Sequence, residues 1–389
     1  MRNRYVTWEG VYMYYLLNKD QIIAKFSVDP VTEAINIEEQ FVKLPEWYGE
    51  LDTFIINRRA PKHRENIKQL LELSGCNTIT GFLDISHALS LIDTFWVKPV
   101  DSHLSWADVS LYTHPFNEVI AKTAFEGGLH GRNLSTTSPE YGTDGSFAKC
   151  WIRENGTIKM LKRGSSGARN AGLEPYSEYY SGDVIGHFTE NYVSYGLRTH
   201  NDRVCSVCDI FTSEDYGFIP YAAVDSGNST VASILRKMDD LGFEDEVRMM
   251  FVIDAVIMNA DRHKNNFGFI IDNRTLEIVS MAPLFDHNQA LLPYAEEESE
   301  FAFGGEYFKD HGPRIGDDWI PAAVACLTAK TRKLLINLRG FEFTRHEKYN
   351  LPEWRLKALE KEMHDMIDAI LDKDAFRTRQ IAVKEKNRE

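Results

Sequence analysis

The sequence has few cysteines and no long apolar run. Its five cysteines are Cys76, Cys150, Cys205, Cys208 and Cys326, an odd and scattered set. Such a set does not predict a disulfide framework and is typical of chains in a reducing cytoplasm. The longest apolar run, residues 249–258, is interrupted by Asp254 and falls short of the ~20 residues that a membrane helix needs. We therefore expect a cytoplasmic protein with no membrane partner.

Positive charge is also scarce. Lysine and arginine number 44 against 58 aspartates and glutamates, and the formal net charge is -14. This balance disfavours a chain that neutralises nucleic-acid phosphates, so we expect no direct binding of nucleic acid. A local basic patch for a small phosphate ligand remains compatible with it. The N-terminal MRNRYVTWEGVYMYY lacks the apolar core and cleavage site of a signal peptide, so we expect no leader.

Cys205 and Cys208 have the spacing of half a zinc site. A structural zinc ion needs four ligands, and no second Cys/His pair follows at a usual spacing. We therefore predict that both cysteines are buried in a strand.

The chain divides into a first region of unclear role and two regions of different texture. We place these regions at 1–115, 116–212 and 213–389. The middle region is rich in turn formers and short strands, whereas the last is mostly helical. This pattern predicts an α+β protein with a small strand-rich N-lobe and a larger helical C-lobe, joined near residues 209–218.

Local patterns predict individual elements. Alternating apolar residues around the turn 18–20 predict a hairpin, and residues 64–73 form an amphipathic pattern that stops at Gly75. Asp84 is placed to cap a short helix through Leu91. Further strands are predicted at 158–162 and 203–212, and further helices at 174–195, 229–241, 244–259 and from 352 onward. In the last helix one apolar stripe is expected to pack in the core: Leu356, Leu359, Met363, Met366, Ile367 and Ile370.

The stretch NADRHKNNFG, residues 259–268, places a carboxylate, a histidine and an amide in close succession. It follows an apolar helix and leads into a predicted hairpin of FGFIID and LEIVSM around the turn 272–275. The hairpin returns the chain to APLFD, residues 282–286, beside the loop from which it began. We therefore expect Asp261, Asn266 and Asp286 to converge.

Phosphoryl transfer needs such a set of residues. Mg²⁺ prefers hard oxygen ligands, and Asp286 and Asn266 supply a carboxylate and an amide. Asp261 precedes Asn266 by five residues, as the catalytic-loop aspartate of kinases precedes its asparagine, so we expect Asp261 to meet the attacking hydroxyl. His263 follows Asp261 instead of preceding it, and we expect it to hydrogen-bond the loop or a carboxylate. For each residue alone, a polar loop that caps a helix is the alternative.

A kinase also needs parts upstream of this loop. A glycine-containing loop lies between candidate strands, where glycines allow close backbone approach to nucleotide phosphates. Its members are Gly142, Thr143, Asp144, Gly145 and Ser146. Lys162, on the following strand, is our candidate for the lysine that contacts the α- and β-phosphates, with Lys159 and Lys149 as competitors. Glu178, in the next predicted helix, is its expected ion-pair partner.

Two further features would complete a nucleotide site. We expect Asp209 and Phe211 at a hinge where backbone groups bind adenine. Arg153, Arg163 and Arg169 are expected to add positive charge near the phosphates.

Together these residues resemble the HipA-like serine/threonine kinases, a bacterial family related to toxin–antitoxin kinases. The resemblance rests on NADRHKNNF and APLFD, and more loosely on TDGSFAK and EPYSEYY, over roughly 137–286. It implies a two-lobed protein-kinase-like fold, ATP and Mg²⁺ as cofactors, and phosphorylation of serine or threonine in a protein. By the same resemblance Asp261 is the catalytic aspartate, Asn266 and Asp286 bind Mg²⁺, and Lys162 binds ATP phosphates.

The resemblance also raises the possibility of an antitoxin-like partner and of self-phosphorylation on a loop residue. The candidate hydroxyls are Ser135, Thr136, Thr137, Ser138, Thr143 and Ser146. The DRHxxN motif followed by a metal-binding aspartate resembles phosphatidylinositol 3/4-kinases as well. A lipid or small-molecule kinase is therefore one alternative to a protein kinase, and a nucleotide-binding pseudokinase with a regulatory role is another. The protein substrate is not evident from the sequence.

Overall fold

The computed structural model describes residues 11–131, 134–167, 171–227 and 230–386. Strands are concentrated in the first part of the chain and helices in the last part, as the predicted α+β class requires. In the described ranges no helix combines the length and apolar character needed to cross a membrane.

The first sheet contains four antiparallel strands in the order β3-β2-β1-β4. These strands are β1 Tyr12–Asn18, β2 Gln21–Val28, β3 Ile35–Gln40 and β4 Phe95–Pro99. Three helices lie between β3 and β4 in the chain, and they are α1 Leu51–Asn57, α2 Ile67–Ser74 and α3 Ile79–Ser86. Two more follow β4, namely α4 Trp106–Val109 and α5 Glu118–Glu126.

The second sheet holds the candidate nucleotide-binding lysine. Its strands, in the order β5-β6-β8-β7, are β5 Lys149–Glu154, β6 Thr157–Arg163, β7 Gly196–His200 and β8 Arg203–Asp209. Helix α6, Glu174–Ile185, connects β6 to β7 and packs against β7 and β8. The register places Lys162 of β6 between Lys149 of β5 and Ser206 of β8.

The third sheet supports the catalytic-loop candidate. It has the order β11-β10-β9 and contains β9 Tyr216–Pro220, β10 Gly268–Asp272 and β11 Ile278–Met281. Helices α7 Tyr221–Val224, α8 Val231–Asp240 and α9 Glu244–Val256 lie between β9 and β10. The chain ends in α10 Glu306–Asp310, α11 Trp319–Cys326, α12 Ala329–Asn337 and α13 Glu353–Lys386. Helix α9 packs against α8, α11 and α13 and forms the centre of this helical part.

Several element predictions are confirmed. The hairpins β1–β2 and β10–β11 are present, and α2 ends at Gly75, whose φ is +87°. The six apolar residues of the predicted stripe in α13 are all fully buried. Cys205 and Cys208 both lie on β8, and each is buried as a free thiol.

Other element predictions are wrong. Helix α6 ends at Ile185 rather than near 195, because the chain turns at Gly186 toward β7. Asp84 does not cap a helix. It lies within α3, whose cap is Thr78, and its carboxylate accepts a hydrogen bond of 2.9 Å from Tyr14 Oη. Boundaries also shift, since β8 ends at 209 instead of 212 and α9 at 256 instead of 259.

Candidate active site

The loop between α9 and β10 is fastened to the buried end of α9. Asn259 Nδ2 donates to Asp254 Oδ1 at 2.9 Å, and Asn259 Oδ1 accepts from the backbone N–H of Asp261 at 3.1 Å. These contacts fix the backbone at Asp261 relative to the helix. The predicted helix fails to continue to 259 because Met258 has a left-handed φ of +51°, and the backbone N–H of Asn259 closes the helix end on the Asp254 carbonyl at 2.8 Å.

Arg262 ties this loop to the exit of the β10–β11 hairpin. Its guanidinium donates to both carboxylate oxygens of Asp254, at 2.8 and 3.0 Å. Its Nη1 also donates to the backbone carbonyls of Asn266 at 2.5 Å and of Phe285 at 2.9 Å. One buried side chain therefore holds Asn266 and the residue before Asp286 together. The sequence reasoning gave Arg262 no role.

Asp261 is buried, and each of its carboxylate oxygens faces a polar side chain. Gln289 Nε2 donates to Oδ2 at 2.9 Å, whereas Arg314 Nε lies 3.0 Å from Oδ1 in an ion pair that lacks hydrogen-bond geometry. Burial raises the pKa of Asp261, while Arg314 and His263 act in the opposite direction. A carboxylate with a raised pKa is better matched to accepting a proton near neutral pH than an ordinary one.

The loop fixes the orientation of Asn266 and His263. Asn266 Nδ2 donates to the backbone carbonyl of Asp261 at 3.0 Å, so the side-chain oxygen Oδ1 is the group that can face a cation. His263 Nδ1 accepts from the backbone N–H of Asn265 at 3.2 Å, and burial lowers the pKa of its imidazole. The prediction that His263 hydrogen-bonds the loop is therefore confirmed.

Lys162, on the second sheet, contacts Asp286, which is one of the two candidate metal ligands. Its Nζ lies 2.7 Å from Asp286 Oδ1 and forms a hydrogen-bonded ion pair with Glu178 Oε1 on α6. Ser206 Oγ donates to the other oxygen of Glu178. The predicted ion pair between Lys162 and Glu178 is present, and Asp286 shares the same ammonium.

The charged groups of this cluster shift one another's pKa values. Burial works to lower the pKa of Lys162, but Asp286 and Glu178 outweigh it and hold that pKa well above its usual range. Burial works to raise the pKa of Asp286, and Lys162 and Lys149 overcome it, so the carboxylate remains ionised. Asp286 also has a φ of +58°, a left-handed conformation that aspartate tolerates better than most residues.

Tyr195, the residue before β7, supports Asp286. Its hydroxyl oxygen accepts the backbone N–H of Asp286 at 3.2 Å, and its ring centroid lies 5.7 Å from Lys162 Nζ. The sequence reasoning missed Tyr195 because it assigned this residue to a helix. The signal that could have placed it is the strand-like run that begins at Gly196.

The glycine-containing loop lies against the start of β5 and is held by lysine and arginine side chains. Lys149 Nζ donates to the Asp144 carbonyl at 2.8 Å, and a Cβ on Gly145, whose φ is +98°, would lie 2.1 Å from that Nζ. Burial and the neighbouring Lys162 lower the pKa of Lys149 to about 8. Lys149, named as a competitor to Lys162, therefore lies in the same charged cluster.

The described part of the first region, residues 11–115, contacts this loop directly. Arg64 donates to the backbone carbonyls of Thr143 at 2.6 Å and of Glu140 at 2.8 Å. The neighbouring Glu65 accepts from Arg163 through its side chain, and its backbone N–H donates to the Ser146 carbonyl at 2.9 Å. A Cβ on Gly142 would meet the Leu89 carbonyl at 2.5 Å. The first region thus packs tightly on the loop.

The remaining predicted site residues have contacts of other kinds. Asp209 is exposed and forms an ion pair with Lys159, and Phe211 packs against Phe285 with ring centroids 5.5 Å apart. Neither contact tests the predicted adenine site. Arg153 is not near the phosphate candidates, because its guanidinium donates to the carbonyls of Leu111 and His114 and lies over the Phe116 ring. Arg169 lies outside the described residues.

The donor set fits a magnesium–nucleotide complex in its chemistry. Asp286 and Asn266 offer hard oxygens, and the buried Oδ1 of Asn288 has no hydrogen-bond partner among the described residues. Nowhere in those ranges do three or more His, Cys, Asp or Glu side chains form a metal-binding group. Mg²⁺ sites in phosphotransferases typically use one or two protein ligands and complete the shell with water and phosphate oxygens. Asn266 and Asp286 match that type of site.

The crevice at this cluster is narrow. Lys162, Arg163, Glu174, Glu178, Ser206 and Asn288 are among the residues that line an empty volume of about 160 Å³.

Comparison with known proteins finds similarity both in sequence and in structure. No family model matches the sequence. A curated relative, the serine/threonine-protein kinase CtkA of Helicobacter pylori, is 26% identical over 137 residues, which make up 31% of this chain and 42% of that protein. The match therefore spans less than half the length of that relative.

Two solved structures are similar to the fold. One is described as the Shewanella oneidensis toxin–antitoxin system HipA and HipB with its operator DNA. It has a TM-score of 0.52 at 11% identity and covers 92% of this chain and 99% of that one. The other is the Helicobacter pylori proinflammatory kinase CtkA. It has a TM-score of 0.47 at 15% identity, and the match covers 61% of this chain and 95% of that one. The near-complete coverage by HipA shows that this chain has its fold. Together with the segment that is similar in sequence to CtkA, this fold supports the resemblance to the HipA-like kinases that the motifs carry.

Proposed function

We propose that this chain transfers the γ-phosphate of MgATP to a serine or threonine hydroxyl of a protein. The observation that carries the proposal is the junction at Lys162, where one buried ammonium meets both Glu178 and Asp286. Kinases use a strand lysine paired with a helix glutamate, together with a metal-binding aspartate, in this way. The similarity of one segment to a protein named as a serine/threonine-protein kinase supports the same activity.

In this proposal each residue has one task. Asp261 orients the acceptor hydroxyl and accepts its proton. Lys162 draws negative charge from the phosphate groups, with Glu178 holding it in place. Asn266 Oδ1 and Asp286 would hold Mg²⁺, which neutralises charge on the phosphates when it is bound. Arg262 donates to the backbone carbonyls of Asn266 and Phe285 and so holds the two segments of the proposed metal site next to each other.

Self-phosphorylation and partner binding are narrower parts of the proposal. Among the candidate hydroxyl residues, Ser135 and Ser146 are exposed, whereas Ser138 is buried against Glu140. We therefore expect phosphate on Ser135 or Ser146 if the chain labels itself, which intact mass and peptide mapping would show. The HipA structure contains the HipB antitoxin, and an antitoxin-like partner for this chain is proposed by that analogy.

The decisive test compares wild type with Asp261→Asn. Radiolabelled ATP and Mg²⁺ are incubated with each protein and with casein, a cell extract or phosphoinositide vesicles. We expect wild type to label protein, and Asp261→Asn to lose at least ~100-fold in transfer rate while it still binds MgATP, because general-base loss alone costs about 10²–10⁴-fold. Asp239→Asn, an exposed aspartate on α8, is the matched control.

The outcomes separate the candidate activities. Equal labelling by wild type and Asp261→Asn would remove Asp261 from the reaction. Label confined to phosphoinositides would make the chain a lipid kinase. A thermal response to MgATP without transfer or phosphate release from wild type would make it a nucleotide-binding regulatory module.

A further inference from the structure

Arg314 approaches Asp261 from a segment that the sequence reasoning did not consider. It lies between α10 and α11, in the run HGPRIGDD of residues 311–318. Its Nε is 3.0 Å from Asp261 Oδ1, and its side chain is 58% exposed while that of Asp261 is only 12% exposed. The guanidinium therefore covers the catalytic carboxylate from the solvent side.

The two side chains that face the Asp261 carboxylate differ in how firmly they are held. The Gln289 side chain donates to Asp261 Oδ2, and the Gln289 backbone carbonyl accepts the N–H of Ala260 at 3.4 Å, so Gln289 is held to the catalytic loop through both its side chain and its backbone. Arg314 lies between Gly312 and Gly316, and Gly316 has a φ of +91°. The Arg314 side chain is largely exposed, and its ion pair with Asp261 lacks hydrogen-bond geometry, so we expect the guanidinium to exchange readily with solvent. Arg314 is thus the partner of Asp261 that can leave.

An acceptor hydroxyl needs one of these two oxygens. With Oδ2 bound to Gln289, the hydroxyl has to take the place of Arg314 at Oδ1. A displaced guanidinium beside the bound acceptor would pair best with a planar anion, because its fork of N–H groups matches a carboxylate. The chain as a whole carries net negative charge. Physiological salt screens the electrostatic field of distant charges beyond about 8–10 Å, so the charge nearest to the bound acceptor, that of Arg314, dominates.

We propose that Arg314 caps Asp261 in the acceptor-free protein and passes to a carboxylate of the acceptor when the acceptor binds. Arg314 thereby selects serine or threonine residues that have an aspartate or glutamate close by. This inference rests on the proposed kinase activity. Arg314 acts through Asp261 and the acceptor, so it is a positioning and specificity-determining residue.

The experiment uses the full chain with MgATP and two serine peptide pools, one with glutamate and one with lysine around the serine. Wild type should favour the glutamate pool. Arg314→Ala should raise KM for that pool about five- to tenfold with kcat within about twofold, in line with loss of one partly exposed charge pair. Arg314→Lys should restore part of the preference, and Arg314→Glu should reverse it. Arg339→Ala, another half-exposed arginine in an ion pair, should behave as wild type.

Each outcome bears on one claim. An active wild type whose pool preference is unchanged in Arg314→Ala and Arg314→Glu overturns this inference alone. So does a wild type that favours the lysine pool, or a variant that loses activity equally on both pools. A wild type that transfers phosphate to no protein or peptide overturns the proposed function, and this inference falls with it.

Discussion

Lys162 Nζ lies 2.7 Å from Asp286 Oδ1, although 124 residues separate the two in the chain. The same ammonium contacts Glu178, and Lys162 and Glu178 are both almost completely buried. The cluster joins β6, α6 and the exit of the β10–β11 hairpin. Its charges are desolvated, so each depends on the others for its stability in the fold.

Removing the cation should therefore be costly. Lys162→Met would leave Glu178 buried without its counter-charge, and we expect the free energy of unfolding to fall by about 3–5 kcal/mol. Urea unfolding would measure this loss. The double variant Lys162→Met/Glu178→Leu should recover at least half of it, because an apolar pair can replace a buried ion pair.

Lys159→Met is the matched control for this prediction. Lys159 lies on the same strand, but its partner Asp209 is 62% exposed, and such a pair is worth less than about 1 kcal/mol. If Lys159→Met and Lys162→Met lowered the free energy of unfolding equally, the Lys162 cluster would contribute no more to stability than an exposed ion pair.

Nucleotide binding should depend on Mg²⁺ through Asp286. If Asn266 and Asp286 hold the cation, ATP with Mg²⁺ should raise the melting temperature of wild type more than ATP with EDTA. Saturating ligand at 100 times its Kd stabilises a protein by about 2.7 kcal/mol. In Asp286→Asn the difference between the two conditions should shrink to near zero, whereas Asp239→Asn should keep it. A metal effect that survives intact in Asp286→Asn would remove this residue from the metal site.

Much of the candidate site could be predicted because it depends on short-range sequence. Asp261 and Asn266 belong to one loop, and the β10–β11 hairpin that follows brings the chain back to Phe285, whose carbonyl accepts from the same Arg262 nitrogen as that of Asn266. The pairing of Lys162 with Glu178 followed from a strand and a helix that are adjacent in the chain. In each case a local pattern decides the geometry.

The residues that escaped prediction act over long sequence distances or lie in misassigned elements. Arg314 reaches Asp261 across 53 positions, and no periodic pattern connects them. Tyr195 was placed in a helix, because the apolar pattern around it does not show that α6 stops at Gly186. Arg262 could have been inferred, since Asp254 interrupts an apolar helix and a buried carboxylate requires a partner.

Contacts from the first region should control nucleotide affinity. Arg64→Ala removes two hydrogen bonds to backbone carbonyls, that of Glu140 just before the glycine-containing loop and that of Thr143 within it. We expect ATP affinity to fall about tenfold, as the loop loses its preorganised position, with a stability loss of about 2 kcal/mol. Isothermal titration would give the affinity. Arg59→Ala removes one bond to the Asn77 carbonyl, away from the loop, and should leave affinity unchanged. Loss of stability without loss of affinity would limit Arg64 to a packing role.

Glu362 should make stability depend on pH independently of the active site. It is fully buried on α13, and burial raises its pKa from 4.5 to about 7, with Lys361 opposing. An acid whose pKa is raised in the folded state stabilises the fold below the unfolded pKa, and this stability is lost as pH rises through the folded pKa. The relevant window is therefore pH 4.5 to 7. Glu362→Gln cannot ionise, so its free energy of unfolding should gain on wild type by on the order of 2 kcal/mol between pH 5 and pH 8. Comparing the two pH values cancels any constant cost of the substitution. Glu277→Gln, at an exposed position before β11, should keep a constant difference from wild type, and the same constant difference for Glu362→Gln would contradict the prediction.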